Sequence, residues 1–96
     1  MQILVAYDVM TETAQGKRRL RNVAQVCKNY GQRVQKSVFE CVVDEMQYES
    51  LIQKLLKCIN EEEDNLRIYR LREPKEQFIK SYGVGKIFDF ESPLVV

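Results

Sequence analysis

Gln32-Arg33-Val34-Gln35-Lys36-Ser37-Val38-Phe39-Glu40-Cys41-Val42-Val43 is the stretch whose reading decides the fold. It is rich in β-branched and aromatic residues, which suit a pleated, half-buried surface. It reads either as one bent strand or as two strands broken near Ser37. The flanks favour two. Upstream, Leu20, Val23, Ala24, Cys27 and Tyr30 recur at helical spacing over residues 14–30, with Thr13 as a candidate N-cap and Gly31 at the C′ position. Downstream, Asp44 and Gln47 make a capping-box pattern, and Tyr48, Leu51, Ile52, Leu55, Leu56 and Ile59 form the clearest helical stripe in the chain. A second helix starting there requires the chain to turn back within 32–43.

Residues 2–8 read as a first strand central in the sheet and Leu66–Leu71 as the last strand, which completes the order β-α-β-β-α-β. This is the split βαβ, or ferredoxin-like, plan of an α+β domain, with two helices on one face of a four-stranded sheet. The first strand is apolar on both faces: Ile3, Val5 and Tyr7 point one way, Leu4 and Ala6 the other. The bare sheet face therefore needs a cover, and a second subunit is the simplest one, which predicts a homodimer. Residues 72–82 are polar and contain Pro74, Gly83 to Gly85 reads as a joint, and Ile87-Phe88-Asp89-Phe90 as a short strand. The expectation is one domain over 1–96, with 83–96 as a C-terminal strand and tail that pairs at the edge of its own sheet or of a partner's.

Composition is that of an ordinary globular domain: 96 residues, 45% hydrophobic, 30% charged, net charge +1. The distribution of charge is more informative. No Asp or Glu occurs from Thr13 to Phe39, whereas Lys17, Arg18, Arg19, Arg21, Lys28, Arg33 and Lys36 do. Acidic residues crowd 40–64 instead. A neutral chain so divided can present one basic face. Solvated helices ordinarily mix signs for i,i+4 pairing. The all-cation stretch therefore points to phosphate contact by Lys17, Arg18, Arg19 and Arg21, which gives position without sequence reading. The acidic run 61–64 reads as a solvated helix end, or as a surface docking on a basic partner. Cys27, Cys41 and Cys58 are odd in number, lack paired spacing and fall at apolar positions, so they read as buried hydrophobes in a reducing cytoplasm. The N-terminus has neither a basic leader nor a spanning run, so no membrane partner is expected. The absence of histidine excludes imidazole acid–base chemistry and imidazole metal sites.

Asp8 ends the first apolar run and faces this cationic stretch. At a strand end an aspartate commonly closes an Asx-turn or caps a helix. Beside a polyanion-binding surface it suits a divalent metal. Metal-assisted phosphodiester cleavage usually needs more than the one carboxylate that Asp8 supplies, with Glu12 a distant second. Tyr7 and Phe39 read as core, with base stacking the alternative, and Ser37 as a turn hydroxyl with no base to activate it.

Ala6-Tyr7-Asp8-Val9, Lys17-Arg18-Arg19-Leu20-Arg21, the run Tyr30 to Glu40 and Asp64-Asn65-Leu66-Arg67-Ile68-Tyr69-Arg70-Leu71 together resemble the CRISPR-associated endoribonucleases, the Cas-two family. The similarity covers essentially the whole chain, and Arg33-Val34-Gln35 with Ser37-Val38-Phe39-Glu40 is its most specific part. The resemblance implies a ferredoxin-like homodimer acting as a metal-dependent endonuclease on single-stranded RNA or double-stranded DNA. It also implies a partner, the Cas-one integrase, in spacer acquisition. It makes Asp8 the metal-binding and catalytic aspartate, with Mg²⁺ or Mn²⁺. It links Tyr7, Arg19, Arg33, Ser37 and Phe39 to activity or substrate contact, and Lys36 lies in the same basic segment. A two-fold axis near the end of the first strand would pair Asp8 with its mate and meet the shortage of ligands. The alternative is a non-catalytic dimeric DNA-binding adaptor that holds integrase subunits. An RNA-recognition module on the same fold lacks support, because Val38–Val43 has neither its glycines nor its aromatic pair.

Overall fold

The computed structural model describes residues 1–84. Seven elements follow one another: β1 (Gln2–Asp8), α1 (Ala14–Tyr30), β2 (Gly31–Gln35), β3 (Val38–Val42), α2 (Glu45–Cys58), β4 (Asn65–Leu71) and the short α3 (Lys75–Phe78). The strands form one sheet in the order β2-β3-β1-β4, with every neighbouring pair antiparallel. This is the ferredoxin-like arrangement. The stretch 32–43 does break at Lys36 and Ser37, as β2 and β3 form a hairpin, with a register irregularity between Arg33 and Gln35.

The helix ends are set by local chemistry. Thr13 Oγ1 accepts the Gly16 amide at 3.0 Å to cap α1. At α2, Asp44 Oδ1 accepts the Gln47 amide at 2.7 Å, and Gln47 Oε1 accepts the Asp44 amide at 2.9 Å, a complete capping box. The other end of α1 departs from expectation. Gly31 is extended (φ −165°), not left-handed, and α1 passes into β2 without a loop. The glycine is explained by space: a Cβ there would lie 2.2 Å from the Glu40 carbonyl oxygen and 2.5 Å from Cys41 Sγ.

Strand alternation divides β1. Ile3, Val5 and Tyr7 are buried beneath α1 and α2 with Val23, Cys27, Phe39, Cys41, Leu51 and Leu55. Leu4 and Ala6 are half-buried and Asp8 exposed on the other face. The register sets Val38, Glu40 and Val42 of β3, and Arg67, Tyr69 and Leu71 of β4, beside them. Val42 is 67% and Tyr69 44% exposed, so this face is open in the single chain. At its far end the chain returns through Glu73, whose carboxylate lies 3.7 Å from the N-terminal ammonium. Within the polar 72–82 segment the short α3 forms. Pro74, whose fixed φ suits the start of a helix, precedes it, and its carbonyl accepts the Gln77 amide at 3.1 Å. The strand expected at 87–90 lies outside the described residues. Among the described residues, no helix is long and apolar enough to cross a membrane.

Candidate functional site

The end of the sheet where β1 stops and β4 begins gathers the chemistry. Asp8 closes β1 directly opposite Asn65, the first residue of β4. Its side chain lies on the open face and is exposed. Among the described residues it has no hydrogen-bond or ion-pair partner. The capping role open to it falls instead to Thr13. Asp8 is therefore free for an external ligand.

Among the described residues, no three Asp, Glu, Cys or His side chains converge as a metal site. The chain alone does not build a closed metal cage. Mg²⁺, however, keeps most of its water and is commonly held by one or two carboxylates together with substrate phosphate. One exposed, unpartnered aspartate fits that mode and no tighter one.

The cations divide into two groups. Lys17, Arg18 and Arg21 are exposed on α1, and Lys36 is exposed at the β2–β3 turn. These are available to phosphates. Arg19 is turned inward: its Nε donates to Asp64 Oδ2 at 2.8 Å and its Nη2 to Glu63 Oε1 at 2.9 Å. Arg33 is half-buried, with its guanidinium carbon 5.1 Å from the centre of the Phe39 ring. Phe39 in turn stacks on Tyr7 at 6.3 Å between centroids. Tyr7 and Phe39 are both buried on the helix side of the sheet, opposite to Asp8. Burial pushes the Tyr7 phenol above its ordinary value, with Arg33 acting against it. Ser37 lies at the hairpin turn, where its carbonyl accepts the Tyr7 amide at 3.1 Å. The structure thus leaves Asp8 and the cations Lys17, Arg18, Arg21 and Lys36 exposed, and puts Tyr7, Phe39 and Arg33 together on the helix side of the sheet.

Two features escaped the sequence reading. The acidic run 61–64 is not uniformly solvated. The Asp64 side chain has 0% exposure, and its carboxylate accepts the Met10 amide at 3.0 Å and the Asn60 amide at 2.9 Å besides Arg19. Burial works to raise this carboxyl, but Arg19 and the two amides outweigh it and hold it below the ordinary value. The other feature is on the face of Asp8 itself, where Arg67 donates to the Tyr69 hydroxyl at 3.2 Å. The inward phase of Leu66 and Ile68 signals that Arg67 and Tyr69 face outward, but only the pairing of β4 with β1 reveals that they share a surface with Asp8.

Comparisons with known proteins agree with this architecture. The family described as CRISPR associated protein Cas2 matches residues 1–78. The CRISPR-associated endoribonuclease Cas2 1 of Moorella thermoacetica is 62% identical over 96 residues, covering 100% of both chains. The CRISPR-associated endonuclease Cas2 of Halalkalibacterium halodurans is 48% identical over 95 residues, covering 99% of each. The crystal structure of Streptococcus pyogenes Cas2 at pH 6.5 superposes with a TM-score of 0.78 at 43% identity, covering 86% of this chain and 100% of that one. With the match spanning the sheet, both long helices and the Asp8 end, the chain belongs to the CRISPR-associated Cas2 family.

Proposed function

We propose that this protein is a CRISPR-associated endonuclease that hydrolyses phosphodiester bonds as a homodimer, with the two Asp8 carboxylates brought into one cleft. The observation that carries this reading is an exposed Asp8 without a partner among the described residues, at the end of a sheet whose first helix exposes Lys17, Arg18 and Arg21. The relatives named endoribonuclease and endonuclease support the reaction class. Their names differ over substrate, in keeping with a surface that binds phosphates and reads no base.

In this reading Lys17, Arg18, Arg21 and Lys36 hold the backbone, and paired Asp8 residues would hold Mg²⁺ or Mn²⁺. A bound divalent ion would supply Lewis-acid neutralisation of the charge that develops on phosphorus-bound oxygens. Asp8 and its mate would hold such an ion beside the scissile phosphate. Tyr7 lies behind the sheet and does not act as the base. If the dimer neutralises about six phosphates, log K falls with log salt at a slope near −5. The partner in spacer acquisition is the Cas-one integrase.

The test is a cleavage assay of wild type and Asp8→Ala on single-stranded RNA and duplex DNA, with Mg²⁺ and with chelator. Metal-dependent cleavage by the wild type and its loss in the variant are expected. Cleavage that survives Asp8→Ala would overturn the assignment. The second reading is a non-catalytic adaptor that spans duplex DNA and holds integrase subunits. It is favoured by the lack of a three-ligand cluster among the described residues. Spacer capture that persists in Asp8→Asn without cleavage would select it.

A further inference from the structure

Asp64 sits one residue before the partner of Asp8 in the sheet, yet it faces the helices. Its carboxylate has 0% side-chain exposure. Oδ1 accepts the Met10 amide at 3.0 Å and Arg19 Nη2 at 3.4 Å, while Oδ2 accepts the Asn60 amide at 2.9 Å and Arg19 Nε at 2.8 Å. Met10 lies two residues beyond Asp8 and past the end of the β1–β4 ladder. The same residue is clamped from its other side. The backbone of Gly16 in the first turn of α1 presses so closely on the Met10 carbonyl that a Cβ there would lie 1.9 Å from its oxygen. The loop after Asp8 is thus fixed at both its amide and its carbonyl.

We propose that Arg19 and Asp64 are positioning residues for Asp8, holding the backbone of residues 8–10 through the Met10 amide, and that Arg19 does not contact the phosphodiester. The geometry separates Arg19 from its neighbours. Its side chain is 16% exposed and engaged by two carboxylates, whereas Lys17, Arg18 and Arg21 are exposed. A carboxylate buried to this degree needs its charge partner, so drawing Arg19 out to a phosphate would leave Asp64 uncompensated. A displacement of about 1 Å at a reacting group costs on the order of 10²-fold in rate, so a brace one residue from the Asp8 pairing position bears on turnover. The link to turnover rests on the nuclease reading; the link to loop order does not.

The experiment compares full-length Arg19→Ala, Asp64→Ala, their double variant and Arg18→Ala. Asp64→Asn, which keeps the shape, replaces Asp64→Ala if that protein does not fold. Hydrogen exchange at Val9–Glu12 should rise by about 10-fold or more in both brace variants while β3 keeps its protection. Duplex DNA binding by Arg19→Ala should keep the wild-type salt slope, whereas Arg18→Ala should make it shallower by about 1. Cleavage at saturating substrate should fall by about 10-fold or more with KM retained, and the double variant should be no worse than either single one. Unchanged exchange in Arg19→Ala, or a salt slope shallower by about 1 as for Arg18→Ala, would overturn the proposal. The exchange and salt arms decide it whether or not the wild type cleaves, so a silent cleavage assay counts against the nuclease reading alone.

Discussion

Asp8 stands opposite Asn65 in the β1–β4 register, and Asp64, the residue before Asn65, has its side chain on the other side of the sheet. Two acids at one strand end are thereby given opposite environments by strand alternation. Asp8 is exposed and without a partner among the described residues. Asp64 is buried against Arg19. The carboxylate free to serve a ligand and the carboxylate that holds the fold are separated by the thickness of the backbone.

Asp8→Asn should therefore leave stability within about 0.5 kcal/mol of the wild type, because no contact is removed. It should bind nucleic acid at least as tightly, since a like charge is taken from the phosphate surface. Urea denaturation and a binding titration check both. A loss of stability of about 2 kcal/mol would reveal a structural role for Asp8.

Asp64 behaves in the opposite way. Burial pushes its carboxyl up, but the Arg19 hydrogen bond, the Asn60 and Met10 amides and the Arg19 charge hold it below its ordinary value of 3.8. The folded state thus binds this proton less tightly than the unfolded state does. Its contribution is full above the unfolded value of about 4, and is lost as pH falls through the lower folded value. Asp64→Asn should cost about 1–2 kcal/mol near neutral pH and should flatten the acid limb of the stability–pH curve below about pH 4. A variant curve parallel to the wild type would contradict the assignment.

Two glycines give a sharp test of packing against propensity. In a helix interior, Gly→Ala ordinarily stabilises by about 1 kcal/mol. At Gly16 the added Cβ meets the Met10 carbonyl oxygen at 1.9 Å. Gly16→Ala should destabilise by about 2 kcal/mol or more, and Gly31→Ala similarly against the Glu40 carbonyl. Thermal melts of the two variants decide the sign.

The thiols differ in reach. Burial pushes Cys27 up to about 12 and Cys41 up to about 11, while Cys58 is half-buried and raised less. In the native protein at pH 8, a thiol reagent should label Cys58 first and leave Cys27 and Cys41 until unfolding, because the thiolate is the reactive form. Mass spectrometry of the labelled peptides reads the order.

Periodicity made most of the fold legible. The Tyr48–Ile59 stripe, the Asp44–Gln47 box and the two-faced apolar strand at 3–7 each had one physical reading. Gly31 did not, because a glycine after a helix fits both a left-handed cap and a close approach, and only the distance to Glu40 distinguishes them. Asp64 was misjudged for a related reason. Its neighbours Glu61, Glu62 and Glu63 are exposed, and nothing local marks the fourth acid as the one that meets Arg19 from 45 residues away. Arg19 and its exposed neighbours carry the same charge in sequence; the helix face each occupies, and what lies across from it, separates them.

The direct passage of α1 into β2 at Tyr30–Gly31 bears on how the chain tolerates change in length. With no spacer to absorb an extra residue, an insertion there would rotate the basic helix relative to the edge strand and slip the hairpin register behind it, turning each β2 side chain to the opposite face. The turn at Glu61–Glu63, exposed and already a loop, offers slack that the helix–strand joint lacks. Length variation among functional descendants of this chain should therefore collect in its turns and spare position 31.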